Sequence, residues 1–304
     1  MSVDAGEVMP TAVIVPSRGR PQLLSECVES ILAGTPLPAE IVVVDQSDTP
    51  HAQLADLGNV RGCQVIYHHS SLRGSSAARN EGCRLATQDI LMFTDDDILV
   101  APDWVEAMTR AVQREADSTL MSGRIRFIAT DQVDGFAPSL FDEEEPRLFE
   151  GRFGYEVLFG GNMGFHRRIL EDLGPFDERF GGGAKYLSAE DNDYSRRALD
   201  AGYRIRYVPE ALVHHQAWRA KRDERGLMWA YGVGHGAFLA KHFQVGDSYI
   251  PIRFREELRR CLRKIREKRR SDPVAAKDEL VYTLGLLYGS ARWILLERLA
   301  GRRA

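Results

Sequence analysis

The sequence is poor in cysteine and shows no pattern in what it has. Cys27, Cys63, Cys83 and Cys261 stand far apart, without the close pairs of a zinc site or a redox motif, so reduced thiols are expected. A leader is missing as well: no positive region followed by an apolar stretch opens the chain, and a cytoplasmic location is expected. Long hydrophobic runs are lacking. The most apolar segment, Leu280 to Leu296, is interrupted by Arg292 and followed by Glu297 and Arg298, which is too short and too charged for a membrane span. There is no positive excess, the formal charge being −4, which argues against a nucleic-acid binder. Low-complexity tracts are also absent, and 44% apolar with 28% charged residues is ordinary globular composition.

A chain of 304 residues can hold one large α/β domain with an appendage. Three short apolar runs, Ala12 to Val15, Ile41 to Val44 and Ile90 to Thr94, predict strands covered on both faces. Between them Pro21 to Ala33, with proline in its first turn, and Ser75 to Ala86 predict helices. This alternation predicts a mostly parallel sheet. Each strand ends in polar residues: Pro16-Ser17-Arg18, Asp45-Gln46-Ser47 and Asp95-Asp96-Asp97. Ligands of open α/β sheets bind at the carboxyl ends of strands, so the three clusters predict one shared site.

Beyond Thr119 the pattern loosens, and Ala129 to Tyr155 is expected to be a long loop over that site. Gly160-Gly161-Asn162 then precedes a short strand and a helix from Arg167 to Leu173. Gly181-Gly182-Gly183 leads to a helix expected to open at Ser188, with Asp191 three residues on, close to a capping box. Strands are expected near Arg204 to Tyr207 and Ala211 to His215, and helix from Lys221 almost to the end.

Three adjacent carboxylates, Asp95-Asp96-Asp97, have no partner nearby in the sequence. A divalent cation would relieve their repulsion, and hard oxygen ligands suit Mg²⁺ or Mn²⁺; a solvated turn capping a helix is the plainer alternative. Asp45 could accept hydrogen bonds from a nucleobase or ribose, and Arg18, Arg20 and Arg79 could neutralise a diphosphate, although each alone is also an ordinary surface or turn residue. Gly74, before small Ser75 to Ala78, allows close approach at a helix start. Of the pair Glu190-Asp191, Asp191 is the candidate general base, against a simple helix-end role for both. His214 and His215 fall on opposite faces of a strand, so one at most serves the site; His215 is preferred, as a metal or phosphate ligand.

Taken in order, Val15-Pro16-Ser17, Val44-Asp45, Gly74 through Arg79-Asn80, Asp95-Asp96-Asp97, Gly161-Asn162 and Glu190-Asp191 resemble the inverting nucleotide-sugar glycosyltransferases of family 2. The resemblance runs from Thr11 to Lys241 and includes Tyr207-Val208-Pro209-Glu210-Ala211 leading to His215. It implies a GT-A fold, Rossmann-like with a mostly parallel central sheet, here with a helical C-terminal extension. It further implies that Pro16, Ser17, Arg18, Arg20 and Asp45 hold the nucleotide with Gly74 and Arg79, and that Asp95 and Asp96 lie on the donor. Asp95 and Asp97, with His215, would hold the metal, Asp191 would be the base, and Gly161, Asn162 and Glu190 would lie near sugar or acceptor. The donor would be a nucleoside-diphosphate sugar, with UDP preferred, and the acceptor a saccharide, lipid-linked glycan or small molecule. The family's Q-x-x-R-W-type motif of polymerising members is absent, Gln216-Ala217-Trp218-Arg219 being a distant echo, which implies single-sugar transfer.

The expected domains are a catalytic one over 1–220, with a nucleotide half at 11–128 and an acceptor half at 129–220, and a helical region over 221–304. Arg253 to Arg270 predicts a basic amphipathic helix, in contrast to the acidic run Asp142 to Glu145. This helix could meet anionic lipid together with Tyr282 to Leu299, although packing on the catalytic domain or pairing in a homodimer is preferred. Two other functions compete: a sugar nucleotidyltransferase, whose glycine-rich basic loop Pro16 to Arg20 matches poorly, and a non-catalytic nucleotide-sugar binder. A dehydrogenase is disfavoured further by the lack of G-x-G-x-x-G after the first strand.

Overall fold

Alternating apolar residues in the first strands feed two separate cores. A computed structural model describes residues 8–128, 135–136, 140–152, 157–216, 219–220, 224–243 and 248–298. Strands β1 (Val8–Ser17), β2 (Leu37–Asp45), β3 (Asn59–Val60), β4 (Cys63–His69), β5 (Ile90–Thr94), β6 (Ile98–Val100) and β7 (Thr119–Phe127) come first. They are followed by β8 (Gly135–Phe136), β9 (Arg147–Phe149), β10 (Asn162–His166), β11 (Arg204–His215) and β12 (Arg219–Ala220). The main sheet has the order β3-β4-β2-β1-β5-β10-β7-β11-β6, with β9 also on β11; β8 and β12 pair separately. Along β1, β2 and β5 the residues Val13, Val15, Ile41, Val43, Ile90 and Met92 enter one core. Their alternates Ala12, Ile14, Val42, Val44, Leu91 and Phe93 enter the other, as a period of two requires. Helices α1 (Pro21–Ala33) and α4 (Trp104–Glu115) cover the first face. Helices α3 (Ser75–Leu85), α5 (Arg167–Leu173) and α6 (Glu190–Asp200) cover the second, and a one-turn helix α2 (Ala52–Ala55) lies between β2 and β3.

The run β4-β2-β1-β5 is parallel, whereas β10 enters antiparallel between β5 and β7. This order positions the site. In register, Ser17 stands beside Asp45, and Asp45 beside His69. Antiparallel β10 therefore starts beside the end of β5, with Asn162 opposite Thr94, and β11 ends beside the start of β6, with His215 opposite Ile98.

Several elements differ from the sequence expectation. β7 occupies the stretch where the pattern loosened. The strands expected near Arg204 and Ala211 are one strand, with a register irregularity between Val208 and Leu212, where Pro209 has no N–H for the ladder. Within the expected loop Ala129 to Tyr155, β9 pairs with β11, while 129–134, 137–139 and 153–155 lie outside the described residues. So do Ala217 and Trp218 of the distant motif echo, Lys221 and Leu299. Helix α6 opens at Glu190 rather than Ser188: Ser188 Oγ donates to the Ala230 carbonyl at 3.1 Å, and Ala189 takes a left-handed φ of 72° before the helix starts.

The chain divides into two compact units. One comprises Met1–Val133, Ala137–Asp177 and Asp191–Trp218, and contains the main sheet; the other comprises Asp134–Phe136, Glu178–Glu190 and Arg219–Ala304. The second unit thus takes Glu178–Glu190 as well as the C-terminal helices. In it α7 (Glu224–Lys241), α8 (Tyr249–Ser271) and α9 (Pro273–Trp293) share a core of Phe180, Tyr186, Val233, Phe238, Leu286 and Trp293. Helices α7 and α9 meet backbone to backbone: a Cβ on Gly236 would run into the Leu286 carbonyl, and one on Gly289 into the Val233 carbonyl. No described helix is long and apolar enough to cross a membrane.

Candidate active site

The three polar clusters meet at one edge of the sheet because their strands are parallel. After β1, Ser17 Oγ donates to Asp96 Oδ2 at 2.8 Å, and the chain turns through exposed Arg18 and Gly19, whose N–H donates to Ser47 Oγ at 2.7 Å. Pro16 is buried. Arg20, at the threshold of α1, donates to Asp97 Oδ2 at 2.6 Å and lies 3.3 Å from Asp96 Oδ1. From α3, buried Arg79 donates to Asp95 Oδ1 at 2.8 Å. The acidic triplet thus has charge partners after all. They come from the threshold of α1 and from α3, 77 and 16 residues away in sequence, and a local view of the chain cannot see them.

Burial raises the Asp96 carboxyl; Arg20 opposes this and neighbouring Asp97 adds to it, leaving the group at about 7. Beneath the triplet, Cys27 Sγ donates to the Asp95 carbonyl at 3.4 Å, and burial followed by the three aspartates pushes its thiol far up. Cys27 is therefore an inert packing residue.

Asp45 is almost fully buried and already hydrogen bonded. Its Oδ1 accepts from the Ser47 N–H at 2.9 Å and from the Ser47 hydroxyl, and its Oδ2 accepts from Tyr67 Oη at 2.7 Å. Burial and that bond push the Tyr67 hydroxyl up to about 12. Gln46 holds Gly74 by both backbone groups, its Nε2 donating to the carbonyl and its Oε1 accepting from the N–H, each at 3.1 Å. In the sequence Gln46 and Ser47 stand out only as part of a polar cluster and Tyr67 does not stand out; the signal for it is a tyrosine on the strand next to a buried aspartate.

The Gly160-Gly161-Asn162 turn ties the triplet to Asp191. A Cβ on Gly160 would come 2.7 Å from Nη2 of Arg79, and one on Gly161 3.1 Å from Oδ2 of Asp95, so the turn lies directly on that ion pair. The Gly160 N–H donates to Asp191 Oδ2 at 3.3 Å, and Asp191 Oδ1 accepts from the Asn192 N–H at 2.8 Å. Asn162 is fully buried. Its Nδ2 donates to the carbonyls of Arg124 and Ala211 at 2.9 and 2.8 Å, and its Oδ1 accepts from Trp104 Nε1 at 2.9 Å. The amide thus anchors the turn to β7, β11 and α4. Glu190 is the first residue of α6.

His215 Nε2 stands 3.6 Å from Asp97 Oδ1, beyond hydrogen-bond reach, and its Nδ1 is buried without a hydrogen-bond partner among the described residues. The Gln216 N–H donates to the Asp97 carbonyl at 2.8 Å. His214 projects from the other side of β11, where burial and then Arg126 lower its pKa. Among the described residues no three His, Cys, Asp or Glu side chains converge as a complete ligand set. Mg²⁺ and Mn²⁺ need only one or two carboxylates when phosphate oxygens and water complete the shell. Asp97 Oδ1 and His215 Nε2 stand 3.6 Å apart, and the Asp95 carboxylate is partly exposed, so oxygen and nitrogen donors of the required kind are present without a complete ligand set among the described residues.

The family model described as Glycosyl transferase family 2 matches residues 12–174. Over 222 residues the chain is 28% identical to the glucosyl-dolichyl phosphate glucuronosyltransferase of Haloferax volcanii, covering 68% of each chain. It is 25% identical over 239 residues to the pre-mycofactocin glycosyltransferase of Mycobacterium tuberculosis, covering 76% of this chain but only 47% of that relative. In structure it is similar to the mannosyltransferase PcManGT of Pyrobaculum calidifontis, solved with GDP-Man and Mn²⁺. The TM-score is 0.57 at 20% identity, over 98% of this chain and 84% of the other. With the GT-A architecture and a family match across more than half its length, the chain belongs to glycosyl transferase family 2.

Proposed function

We propose that the protein transfers one sugar, with inversion, from a nucleoside-diphosphate sugar to a hydroxyl acceptor, with Asp191 as general base and a divalent metal at the acidic triplet. The nucleotide half would be 11–128 and the acceptor half 129–220. The observation that carries this reading is the Gly160-Gly161 turn, which rests on the Arg79–Asp95 pair and hydrogen bonds Asp191. A donor group held by the triplet and a base that must reach the reacting hydroxyl would thereby be coupled through one backbone segment.

In this reading Pro16, Ser17, Arg18 and Asp45 border the nucleotide, and Tyr67 and Ser47 fix the Asp45 carboxylate. Gly74 and Arg79 border the diphosphate, and Arg20 and Arg79 keep the triplet's charge compensated while an anionic donor binds. Asp95, Asp97 and His215 would hold the metal, which supplies positive charge to the leaving diphosphate. Asp191 takes the acceptor's hydroxyl proton, that oxygen bonds to the anomeric carbon from the opposite face, and the bond to the diphosphate oxygen breaks with its electron pair leaving on the phosphate. Gly161 and Glu190 would border sugar and acceptor. The H. volcanii relative's name specifies a lipid phosphate bearing a sugar, which makes lipid-linked saccharides a first acceptor class to test beside free saccharides and small molecules.

The test is a binding and hydrolysis screen of UDP-, GDP- and dTDP-sugars with and without Mn²⁺, on wild type and Asp97→Ala. Metal-dependent binding of one donor that is lost in Asp97→Ala supports the reading. Equal binding with and without metal removes the metal from it, and no binding of any donor reopens the nucleotidyltransferase and non-catalytic alternatives.

A further inference from the structure

Helix α9 buries one side against α7 and leaves the other bare. Leu280, Leu284, Leu287 and Tyr288 of α9, with Ile294 and Leu295 in the π-helical turn that follows it, are between 43% and 62% exposed. Within α9 the spacing of Leu280, Leu284, Leu287 and Tyr288 puts them on one stripe of the helix surface, about 12 Å long at 1.5 Å per residue, and Ile294 and Leu295 extend the exposed apolar surface past its end. No carboxylate falls between Leu280 and Leu296; Glu297, just beyond, is tied to Arg179 and Lys185. The buried side cannot roll outward to hide the stripe, because Gly236 and Gly289 lock α7 to α9 at backbone contact.

Neighbouring α8 supplies the complementary feature. It carries ten arginines and lysines against three glutamates. Glu257 bonds Tyr282, and Arg260 and Lys264 pair with Glu279, which fixes its inner side on α9. Outward, Arg255, Arg259, Leu262, Arg266 and Arg269 recur at helical spacing, all exposed. Among the described residues none of these four arginines has a carboxylate within ion-pair distance.

We infer that the α8–α9 face docks on an anionic lipid bilayer, with the α9 stripe lying in the interface and the α8 arginines on the headgroups. An aliphatic ridge flanked by unneutralised arginines matches an acyl boundary beneath a negative surface. A second copy of the chain matches it less well, because joining two α9 stripes would bring two strongly basic α8 helices together.

The experiment is vesicle co-sedimentation of the full chain with phosphatidylcholine alone and with about 30% phosphatidylglycerol, alongside light scattering for oligomeric state. Leu284→Glu/Leu295→Glu and Arg266→Glu/Arg269→Glu are run beside wild type, with circular dichroism as a folding control. The expected result is binding to anionic but not neutral vesicles, weakened about tenfold or more in either folded double variant. Absence of binding overturns the inference, as does binding that both variants retain. A dimer that Leu284→Glu/Leu295→Glu dissolves also overturns it and makes the face a subunit interface.

Discussion

The backbone N–H of Gly160 donates to the Asp191 carboxylate, 3.3 Å from Oδ2. Behind that contact Gly160 has no room for a side chain, since a Cβ would come 2.7 Å from the buried Arg79 guanidinium. Gly160→Ala is therefore expected to shift the turn and lower kcat/KM by about 100-fold, the scale of a misplaced reacting group, while the thermal midpoint falls by only a few degrees, on the order expected for about 1 kcal/mol. Steady-state kinetics beside a melting curve check this, and retained activity would contradict the coupling of the turn to Asp191.

Tyr67 donates to Asp45 and accepts from the His51 N–H at 2.6 Å. Tyr67→Phe leaves both groups a partner short, with an expected loss of about 1–2 kcal/mol of stability and weaker donor binding. A urea titration and a nucleotide titration separate the two effects; a variant unchanged in both would show that Asp45 is held by Ser47 alone.

Much of the first unit is legible in the sequence because its signals are local. The apolar runs at Ala12, Ile41 and Ile90 and the helices at Pro21, Ser75 and Arg167 all appear close to where expected. The convergence of Ser17, Asp45 and the triplet follows from parallel order alone. Pairing across long separations was not legible: Arg20 with Asp97, Gln46 with Gly74 and Trp104 with Asn162 depend on which strands become neighbours. The burial of Asn162 is not legible for the same reason, since a polar residue after two glycines carries no local mark of it. Ser188 had the pattern of a cap, but the left-handed backbone at Ala189 moved the helix start past it.

The α7–α9 contact gives a stability prediction. Gly236→Ala puts a methyl group into the Leu286 carbonyl, and the helices must part; about 3 kcal/mol is expected, at the upper end for overpacking. Chemical denaturation followed by circular dichroism measures it. A loss under 1 kcal/mol, roughly an ordinary surface effect, would mean the helices are not in backbone contact.

Glu257 supplies a pH prediction in the same unit. Burial would raise its carboxyl, but hydrogen bonds from Arg260 and Tyr282 and the neighbouring His235 hold it down to about 2. The folded value lies below the ordinary 4.5, so the ionised group stabilises the fold fully above that pH. The contribution drains away as pH falls from 4.5 toward 2. Glu257→Gln should be less stable than wild type at neutral pH, by on the order of 2 kcal/mol, with the difference shrinking over that window. A difference independent of pH would contradict the ionised pair.

The role of Asp191 is tested by comparing wild type and Asp191→Asn for donor affinity by calorimetry and for single-turnover transfer, using whichever nucleotide sugar the screen identifies. Unchanged affinity is expected, with transfer slowed about 100-fold or more. Transfer at the wild-type rate in Asp191→Asn would contradict the assignment of Asp191 as the base.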